Sequence, residues 1–578
     1  MATILDASPR PTAFPTGGYD ESLSLVDLFL QDQQRLTVVE EFSRWHDAEP
    51  LPQAPRNYSS LIPLTTPGPG EQYAFDVQLD LCSGCKACVT ACHSMNGLDE
   101  EETWRDVGLL HGGPPEEPWL QHVTSACHHC IDPACLNVCP AQAYEKDPVT
   151  GIVAHLDDQC IGCQYCMLAC PYDVPKYNAH RGIVRKCDMC RQRLAVDEPP
   201  ACVQACPQAA IRVTVVNRLE VATEKRAGRF LPGAPDPALT LPTTVYRSQQ
   251  PLPADLQSAN RHAVEPEHAH GSLIAMLVLS QLATGLLWLD FLAGWTIDDL
   301  ESSPLRRWVV ALAAVFGTAA AATSTGHLGR PLYGFRALLG WRTSWLSREV
   351  LAFGLMVPAS LACALLPGMS DVFPVAPGII NGLYFAALAG GALVLYCSAN
   401  VYQCTRRPFW ETPATLLKFV LTAAVLGSAT ILVLQILQPG GLAEKYNPFV
   451  DLLSVRLWAN LLMVTTLCKL ISEAVVFRHI RNDDPQGQGG SARLLAGVLA
   501  PWLGARIACA LIGGLLLPAV LVRLSAGMSV GAISPEMQIG FIPVAVTLWG
   551  LCLVGELLER TLFFKAALRF RMPGGLPF

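Results

Sequence analysis

Sixteen of the 22 cysteines lie in one stretch of the chain, in four groups of four with nearly the same spacing. The first and third groups read C-x2-C-x2-C-x3-C, the second reads C-x2-C-x4-C-x3-C, and the fourth has an eleven-residue insert before its third cysteine. In chain order the groups are Cys82, Cys85, Cys88 and Cys92; Cys127, Cys130, Cys135 and Cys139; Cys160, Cys163, Cys166 and Cys170; and Cys187, Cys190, Cys202 and Cys206. Such runs are typical of bacterial ferredoxins, in which the fourth cysteine ligates a second cluster. The pattern therefore predicts four 4Fe–4S clusters, with iron bound by all sixteen thiolates, and a role in electron transfer.

Two other kinds of site use many cysteines and compete with this interpretation. Structural zinc sites usually combine separate C-x2-C pairs, without a third and fourth cysteine at such short steps. Disulfide frameworks are typical of small secreted chains, and the first 20 residues lack the basic and apolar regions of a signal peptide. Soft thiolate ligands in four repeated groups favour iron–sulfur clusters, loaded in a reducing compartment.

The composition changes along the 578 residues. Hydrophobic residues make up 51% of the chain and charged residues only 16%, which indicates membrane spans. The net charge of −8 gives no electrostatic support to nucleic-acid binding. We expect an N-terminal extension with a Pro-rich linker over 1–72, a cluster domain over 73–225, a second linker over 226–270, and a membrane anchor domain over 271–578.

Short strand-like runs alternate with the cysteine groups in the cluster domain. A run from Tyr73 (YAFDVQL) leads into the first group, another at 151–156 leads into the third, and a third at 210–216 follows the fourth. This alternation predicts an α+β ferredoxin-like domain, with the first group beside the fourth and the second beside the third. Apolar residues at helical spacing over 22–48 predict an amphipathic helix, which either packs on its own chain or docks on a partner subunit.

Eight apolar stretches follow, and most are 16–24 residues long. At about 1.5 Å per residue, such helices are long enough to cross about 30 Å of hydrocarbon. The sequence therefore predicts an all-α polytopic membrane domain of about eight transmembrane helices. The expected spans are roughly 271–294, 308–323, 350–366, 379–401, 414–437, 457–477, 507–522 and 540–558.

The loops between these spans carry Lys and Arg unevenly. We count 14 on the side shared by the two termini and five on the opposite side. By the positive-inside rule, both termini and the cluster domain are expected on the cytoplasmic side of a bacterial membrane. The lack of a visible export signal agrees with this orientation.

These features together resemble a known family. The cysteine groups, with Cys127-His-His-Cys-Ile-Asp-Pro-Ala-Cys and the insert in the fourth group, resemble the four-cluster electron-transfer subunit of dimethyl sulfoxide reductase-type molybdoenzymes. The stretch from His327 (HLGRPLYGFRALLGWRTSWLSREV) and the C-terminal GELLERTLFFKAALRFRMPGG resemble the quinol-oxidising membrane anchor of the same enzymes. The resemblance covers about residues 73–215 and 271–578. These subunits are usually separate chains, so the sequence resembles a natural fusion of the two.

The resemblance implies a place in a larger enzyme. A separate catalytic subunit would carry a molybdopterin cofactor and dock on the cluster domain, and this chain would relay electrons between it and the quinone pool. All sixteen ligand positions are cysteine, so four 4Fe–4S clusters are expected. Quinol oxidation is the expected direction, and quinone reduction is the alternative. Cluster subunits of the family often work outside the cytoplasmic membrane, so the outer side is the alternative location.

Two ionisable residues flank the loop between the second and third spans. His327 ends the second span and Glu349 begins the third. Ionisable residues in a membrane are costly and mark functional sites, and quinol oxidation requires groups that accept protons. The matching residues of the resembling family are associated with quinol binding, so we expect the quinol site at His327 and Glu349. The alternative is a helix-capping histidine and an interfacial glutamate paired with Arg348.

Other charged residues of the spans have a simpler interpretation. Lys469 and Glu473 are four residues apart on the sixth span, and Glu556 and Arg560 have the same spacing on the eighth. Residues at this spacing lie on one face of a helix, so each pair is expected to form an ion pair within its own helix.

The histidines indicate that haem is not a cofactor of this chain. Only His327 and His479 occur after residue 270, both at expected helix ends, and no C-x2-C-H motif for covalent haem occurs. His128 and His129 stand between cluster ligands and are expected to hydrogen-bond near a cluster rather than to ligate it.

Two other classes of function find little support. No nucleotide-binding fingerprint stands out in the sequence. A transporter or redox sensor regulated by a cluster domain is an alternative of another class, but a transporter should show paired broken helices, and no clear pair is visible.

Overall fold

The chain divides into two units, Met1–Ser60 and Leu61–Phe578, and the second contains both the cysteine groups and the membrane spans. The helix predicted over 22–48 lies outside the described residues. The structure, a computed structural model, describes residues 58, 60–253, 255–262, 264–296, 304–366, 376–410, 412–437, 448–485, 487–526 and 535–574.

The described part of the cluster domain contains ten short strands in four small sheets, with six helices between or after them. The strands are β1 (Glu71–Gln78), β2 (Asp106–Gly112), β3 (Trp119–Ser125), β4 (Tyr144–Lys146), β5 (Val153–His155), β6 (Lys176–Asn178), β7 (Ile183–Arg185), β8 (Ile211–Asn217), β9 (Val245–Arg247) and β10 (Gln257–Ser258). The helices are α1 (Ala87–Asn96), α2 (Ala134–Asn137), α3 (Tyr165–Ala169), α4 (Arg191–Leu194), α5 (Ala201–Gln204) and α6 (Arg218–Arg226). The predicted α+β cluster domain is confirmed.

The sheet that contains β1 brings the two ends of the cysteine-rich region together. β1 pairs antiparallel with β8, with Val77 opposite Ile211, and parallel with β9. β1 leads into the first cysteine group, and β8 follows the fourth. Because the strands run in opposite directions, the first and fourth groups lie at the same end of the β1–β8 pair.

One backbone feature repeats in all four cysteine groups. The residue before the second cysteine is left-handed in each: φ is +74° at Gly84, +42° at His129, +71° at Gly162 and +60° at Met189. A left-handed residue reverses the chain direction within one turn, which glycine tolerates best. The third cysteine of each group is then the second residue of a short helix, α1, α2, α3 or α5. The turn and the helix together fix the relative positions of the first three cysteines of each group.

The predicted membrane domain is confirmed, since the described residues contain eight helical segments long and apolar enough to span a membrane. The first six spans are formed by α7 (Gly271–Thr296), α8 (Pro304–Ser324), α9 (Trp345–Leu365), α10 (Pro377–Gln403), α11 (Thr412–Leu437) and α12 (Pro448–Ala474). After the short α13 (Gln488–Ala496), the seventh span is formed by α14 (Ala500–Cys509), a π-helical turn (Ala510–Leu516) and α15 (Leu517–Ala526), and the eighth by α16 (Pro535–Lys565).

Three spans begin at least three residues earlier than the sequence predicted. The second, third and seventh run over Leu305–His327, Trp345–Leu365 and Ala500–Ser525. Charged residues near the starts of these helices interrupt the apolar stretches, so a search for apolar residues alone begins each span too late. The first span is the centre of the bundle: α7 packs against α8, α10, α11 and α16.

The cluster domain packs directly against the loop between the second and third spans. The Gly340 N–H donates a hydrogen bond of 2.8 Å to the Pro140 carbonyl. Gly329 lies so close to Gly162 and Gly182 that a Cβ at Gly329 would lie 2.1 Å from the Gly182 carbonyl oxygen. Only glycine fits at this contact, so the absence of side chains sets how closely the two domains approach.

Replacing Gly329 by alanine should destabilise this contact. The added Cβ would collide with backbone, and overpacking of this kind typically costs about 1–3 kcal/mol. Thermal unfolding of the detergent-solubilised protein and limited proteolysis of the loop should both show the loss. Gly354→Ala is the matched control, because a Cβ at Gly354 of α9 meets nothing within 4 Å. Equal stability of the two variants would contradict the prediction.

Candidate electron-transfer site

The sixteen cysteines form four cages, each named after the group that supplies three of its members. The cages are the first (Cys82, Cys85 and Cys88 with Cys206), the second (Cys127, Cys130 and Cys135 with Cys170), the third (Cys160, Cys163 and Cys166 with Cys139) and the fourth (Cys187, Cys190 and Cys202 with Cys92). Each group thus gives its last cysteine to another cage. The predicted pairing of the first group with the fourth, and of the second with the third, is confirmed in this placement.

The surroundings of the cages fit 4Fe–4S clusters. Four thiols line a cavity in both the second and the third cage. Among the described residues, no group of three or more His, Cys, Asp or Glu side chains is arranged to bind a single metal ion. Backbone N–H groups point at ligand sulfurs, with Gly162 N 3.4 Å from Cys160 Sγ and Ala143 N 3.2 Å from Cys139 Sγ. Such donors stabilise thiolate charge and help to set cluster potentials.

The four cages form one row. The exchanged cysteines make the first cage the neighbour of the fourth, and the second the neighbour of the third. Cys187 of the fourth cage and Cys127 of the second interact electrostatically, which joins the two pairs. The order is therefore first, fourth, second, third. The third cage adjoins the membrane loop, where the Arg330 N–H donates to the Ile161 carbonyl at 3.1 Å, and the first reaches the surface, where Cys85 is exposed.

Two buried histidines hydrogen-bond beside the second cage. His128 Nδ1 lies 2.8 Å from Thr244 Oγ1, and His129 Nδ1 accepts a 3.0 Å hydrogen bond from the Val153 N–H. Burial, reinforced by nearby cations, lowers the pKa of His128 to about 3 and also lowers the pKa of His129 well below its ordinary value. Both imidazoles are therefore neutral near pH 7 and act as fixed hydrogen-bonding groups, in agreement with the sequence interpretation.

Glu349 lies at the membrane end of the row. Its side chain is buried, and the Ser398 hydroxyl of α10 donates a hydrogen bond to it. Tyr165, a residue of the third cysteine group, lies within electrostatic reach of both Glu349 and the ligand Cys163. The Tyr165 hydroxyl donates a 2.8 Å hydrogen bond to the Val401 carbonyl. Tyr165 therefore connects the third cage to the helix that carries Ser398.

His327, the other predicted quinol residue, is not hydrogen-bonded to Glu349. It ends the second span, its buried Nδ1 has no hydrogen-bond partner, and its ionisable neighbour is His270. The alternative pairing of Glu349 with Arg348 does not occur either. Arg348 instead donates a 2.7 Å hydrogen bond to the Arg342 carbonyl. Glu349 is thus a buried carboxyl whose hydrogen-bond partner is a hydroxyl, not a cation.

The two ion pairs predicted within the last spans are wrong. Lys469 pairs with Glu556 of α16 rather than with Glu473. Glu473 pairs with Arg506 of α14 at 2.9 Å, and Arg506 also contacts Glu556 at 3.0 Å. Charges buried in a membrane need close partners, and side chains facing neighbouring helices find them between helices. The expected seventh span began at residue 507, which hid Arg506 as a partner.

Sequence reasoning missed Tyr165 and Ser398. The only signal for Tyr165 was its position inside a cysteine group. Ser398 gave none, because it meets Glu349 from a different span, 49 residues away in sequence.

Comparisons with known proteins match both the cluster domain and the membrane domain. The profile of the 4Fe-4S dicluster domain matches residues 119–216, and the profile of the DMSO reductase anchor subunit (DmsC) matches residues 268–482. The protein is 40% identical over 156 residues to the probable anaerobic dimethyl sulfoxide reductase chain YnfG of Escherichia coli (strain K12), covering 26% of its own length and 76% of the relative. It is 38% identical over 174 residues to the B subunit of the anaerobic dimethyl sulfoxide reductase of the same strain, covering 29% and 82%. It is also 32% identical over 168 residues to the formate dehydrogenase iron-sulfur subunit of Haemophilus influenzae, covering 26% and 54%.

Replacing Tyr165 by phenylalanine should weaken the link between the third cage and the membrane domain. Val401 lies in the last turn of α10, where carbonyls lack partners within the helix. Leaving one buried and unsatisfied costs about 1–3 kcal/mol. We expect unchanged iron content, a lower melting temperature and slower reduction of the clusters by quinol.

Tyr172→Phe is the matched control for this substitution. The Tyr172 hydroxyl accepts a hydrogen bond from Thr240 beside the second cage, and the Tyr172 ring packs against His128 within the cluster domain. If both variants were reduced by quinol at the wild-type rate, Tyr165 would have no part in the connection.

Proposed function

Because the protein belongs to the family of the dimethyl sulfoxide reductase B subunits, with a DmsC-type membrane anchor fused behind its cluster domain, we propose that it oxidises quinol and relays the electrons to a separate molybdopterin-containing catalytic subunit. The relay is formed by four 4Fe–4S clusters held in the four cages. The observation that carries this proposal is the row of four cages, with Tyr165 linking the third cage to Glu349 at one end and Cys85 exposed at the other.

Glu349 has the properties that a proton acceptor for quinol needs. Quinol gives up protons as its electrons leave, so a group beside it must take them. Glu349 is buried in the third span with Ser398 as its hydrogen-bond donor, and no ion pair involving Glu349 occurs in the described part of the chain. An intramembrane carboxyl without a cation is energetically costly, and such residues mark functional sites. The Ser398 hydroxyl orients the carboxyl, and Tyr165 fixes its distance from the third cage.

His327 is the second residue that we assign to the quinol site. Its buried Nδ1 has no partner, so it is available to hydrogen-bond to a hydroxyl or carbonyl of the bound quinone. The loop that follows His327 packs on the third cage through Gly329. A head group held between His327 and Glu349 would therefore lie next to the membrane end of the row.

The cysteines and their surroundings determine what the protein contributes to electron transfer. Clusters bound in the cages would supply one-electron redox chemistry, whereas the protein itself holds the ligands at fixed positions. Cys85 and the large apolar side chains of Leu81 and Leu120 are exposed around the first cage. We assign this surface to the docking of the catalytic subunit.

The excess of Lys and Arg on the side shared by the termini supports a cytoplasmic location of the cluster domain. Glu349 and the cages lie on the same side of the membrane, so electrons need not cross the bilayer. Protease added to intact spheroplasts should leave the cluster domain uncut, and cleavage there would place it on the outer side.

Purification under anaerobic conditions tests the assembly. The protein, isolated from native membranes in mild detergent, should co-purify with a large subunit that contains molybdenum or tungsten, and iron should amount to four clusters per chain. Isolation of an intact iron-loaded protein without such a partner would contradict the proposal.

Replacing Glu349 by glutamine should abolish most quinol oxidation while leaving the clusters in place. Loss of a general base typically lowers a rate by about 10²–10⁴-fold. Iron content and reduction of the clusters by dithionite should match the wild type. Asp290→Asn is the matched control, because Asp290 is also a buried carboxyl of the spans but lies at the opposite membrane face. Asp290 accepts a 2.6 Å hydrogen bond from the Tyr384 hydroxyl.

A double-mutant cycle extends this test to His327. If His327 and Glu349 bind one quinol, the effects of His327→Gln and Glu349→Gln on quinol oxidation should not be additive. Strictly additive effects, or normal quinol oxidation by Glu349→Gln, would remove the pair from the site.

A further inference from the structure

Lys186 lies between the second and fourth cages. Its side chain is 2% exposed, and its Nζ lies 3.5 Å from Cys127 Sγ of the second cage. The same Nζ donates a 2.9 Å hydrogen bond to the carbonyl of Cys187, a ligand of the fourth cage, and another to the Val153 carbonyl. One ammonium group therefore touches both cages at the point where the two halves of the row meet.

Arg105 occupies the equivalent position between the fourth and first cages. It is 2% exposed and follows the first cysteine group in the chain, just before β2. Its Nη1 donates a 3.1 Å hydrogen bond to Thr124 Oγ1, which lies 3.6 Å from Cys88 Sγ of the first cage. Its guanidinium also interacts electrostatically with Cys202 of the fourth cage. Arg105 thus faces the two cages at the surface end of the row.

Neither cation is neutralised by a carboxylate. Within the described part of the chain, no ion pair to Asp or Glu involves Lys186 or Arg105, and Nε and Nη2 of Arg105 have no hydrogen-bond partner. A buried charge without a counter-charge is strongly unfavourable. The anionic groups that both cations approach are the thiolates of the cages, and a cluster ligated by four thiolates is negatively charged. The clusters are therefore the counter-ions of these side chains.

Other buried cations of the cluster domain are arranged differently. Arg185 is paired with Glu102 at 3.0 Å. At the third cage, the ionisable side chain beside Cys160 is His155, whose Nδ1 lies 2.8 Å from Asp157. A third buried cation, Lys225, lies over the Phe230 ring and donates a hydrogen bond to the Arg229 carbonyl. Lys186 and Arg105 lie at the two junctions of the row beyond the third cage.

We propose that Lys186 and Arg105 set the reduction potentials of the relay, raising those of the first, second and fourth clusters relative to the third. A fixed positive charge at low dielectric favours the more negative, reduced form of a cluster, and net charge around a cluster is one of the factors that set its potential. An electron that enters at the third cage is thereby drawn towards the surface. This inference rests on the proposed cluster content, and it gives the row a direction away from the membrane.

Redox titration of the purified holoenzyme complex, followed by EPR, tests the inference. Lys186→Met keeps the length of the side chain and removes its charge. We expect the midpoint potentials of two clusters, the second and the fourth, to become more negative while the other two change little. Lys186→Arg should keep the wild-type values. Unchanged potentials in a fully iron-loaded Lys186→Met complex would overturn the proposal.

Arg105→Gln provides an independent test if Lys186→Met loses a cluster. It should make the midpoint potentials of the first and fourth clusters more negative instead, and the potentials of Arg105→Lys should stay close to those of the wild type. Loss of iron in both neutral variants would mean that the charges serve cluster assembly, and this would also overturn the proposal.

Lys86→Met is the matched control, because Lys86 is exposed next to Cys85 and water screens its charge. A shift as large as that of Lys186→Met would show that burial is irrelevant and contradict the inference. The titration uses chemical mediators and needs no quinol, so failure of the quinol site and failure of this inference give different results.

Discussion

The antiparallel pairing of β1 with β8 is the constraint on which the rest of the structure depends. It brings the first and fourth cysteine groups to one edge of a sheet, although residues 93–186 separate Cys92 from Cys187 along the chain. Each group can then give its fourth cysteine to its partner's cage. The exchange ties neighbouring cages together, so that four separate sites become one row. Lys186 joins the two halves of that row by contacting Cys127 and the carbonyl of Cys187.

The junction with the membrane combines close packing with an ion pair of 2.7 Å between Arg569 and Asp173. Glycines at 162, 182 and 329 let backbone meet backbone, and the Ser344 hydroxyl donates a 2.7 Å hydrogen bond to the Val138 carbonyl. Tyr165 adds a hydrogen bond to the end of α10. These contacts are short and specific, so the third cage and Glu349 are held in a fixed relation. A looser linker between separate domains would not provide this.

The charged residues of the last spans serve a different purpose from Glu349. Lys469 of α12 and Arg506 of α14 both pair with Glu556 of α16. Glu559 and Glu473 supply further carboxylates to Lys469 and Arg506, respectively. Arg560 of α16 extends the network to Gln281 of the first span at 3.0 Å. Such a network fastens helices together in lipid, where hydrophobic attraction between helices is weak. Within the described part of the chain, Glu349 is hydrogen-bonded to the Ser398 hydroxyl and is paired with no cation, which makes it the better candidate for proton transfer.

Local patterns were predictable from the sequence, and contacts between distant segments mostly were not. The spacing of the cysteines determines the turn and the short helix of each group, so the cages and their pairing could be inferred. Eight spans followed from hydropathy. The partners of Lys469 and Glu473 depend on which helices are neighbours. The spacing of residues within one span does not reveal this. Tyr165 and Ser398 likewise acquire their roles from the docking of the cluster domain on α10.

The central claim is that electrons from quinol enter the row of clusters at the membrane end. Freeze-quench EPR of the oxidised complex after rapid mixing with a quinol analogue tests it most directly. The account predicts that quinol reduces the clusters of the wild-type complex and that Glu349→Gln slows this reduction by about 10²–10⁴-fold, while dithionite still reduces its clusters. Wild-type clusters that dithionite reduces but quinol does not, or reduction of the Glu349→Gln clusters by quinol at the wild-type rate, would contradict it.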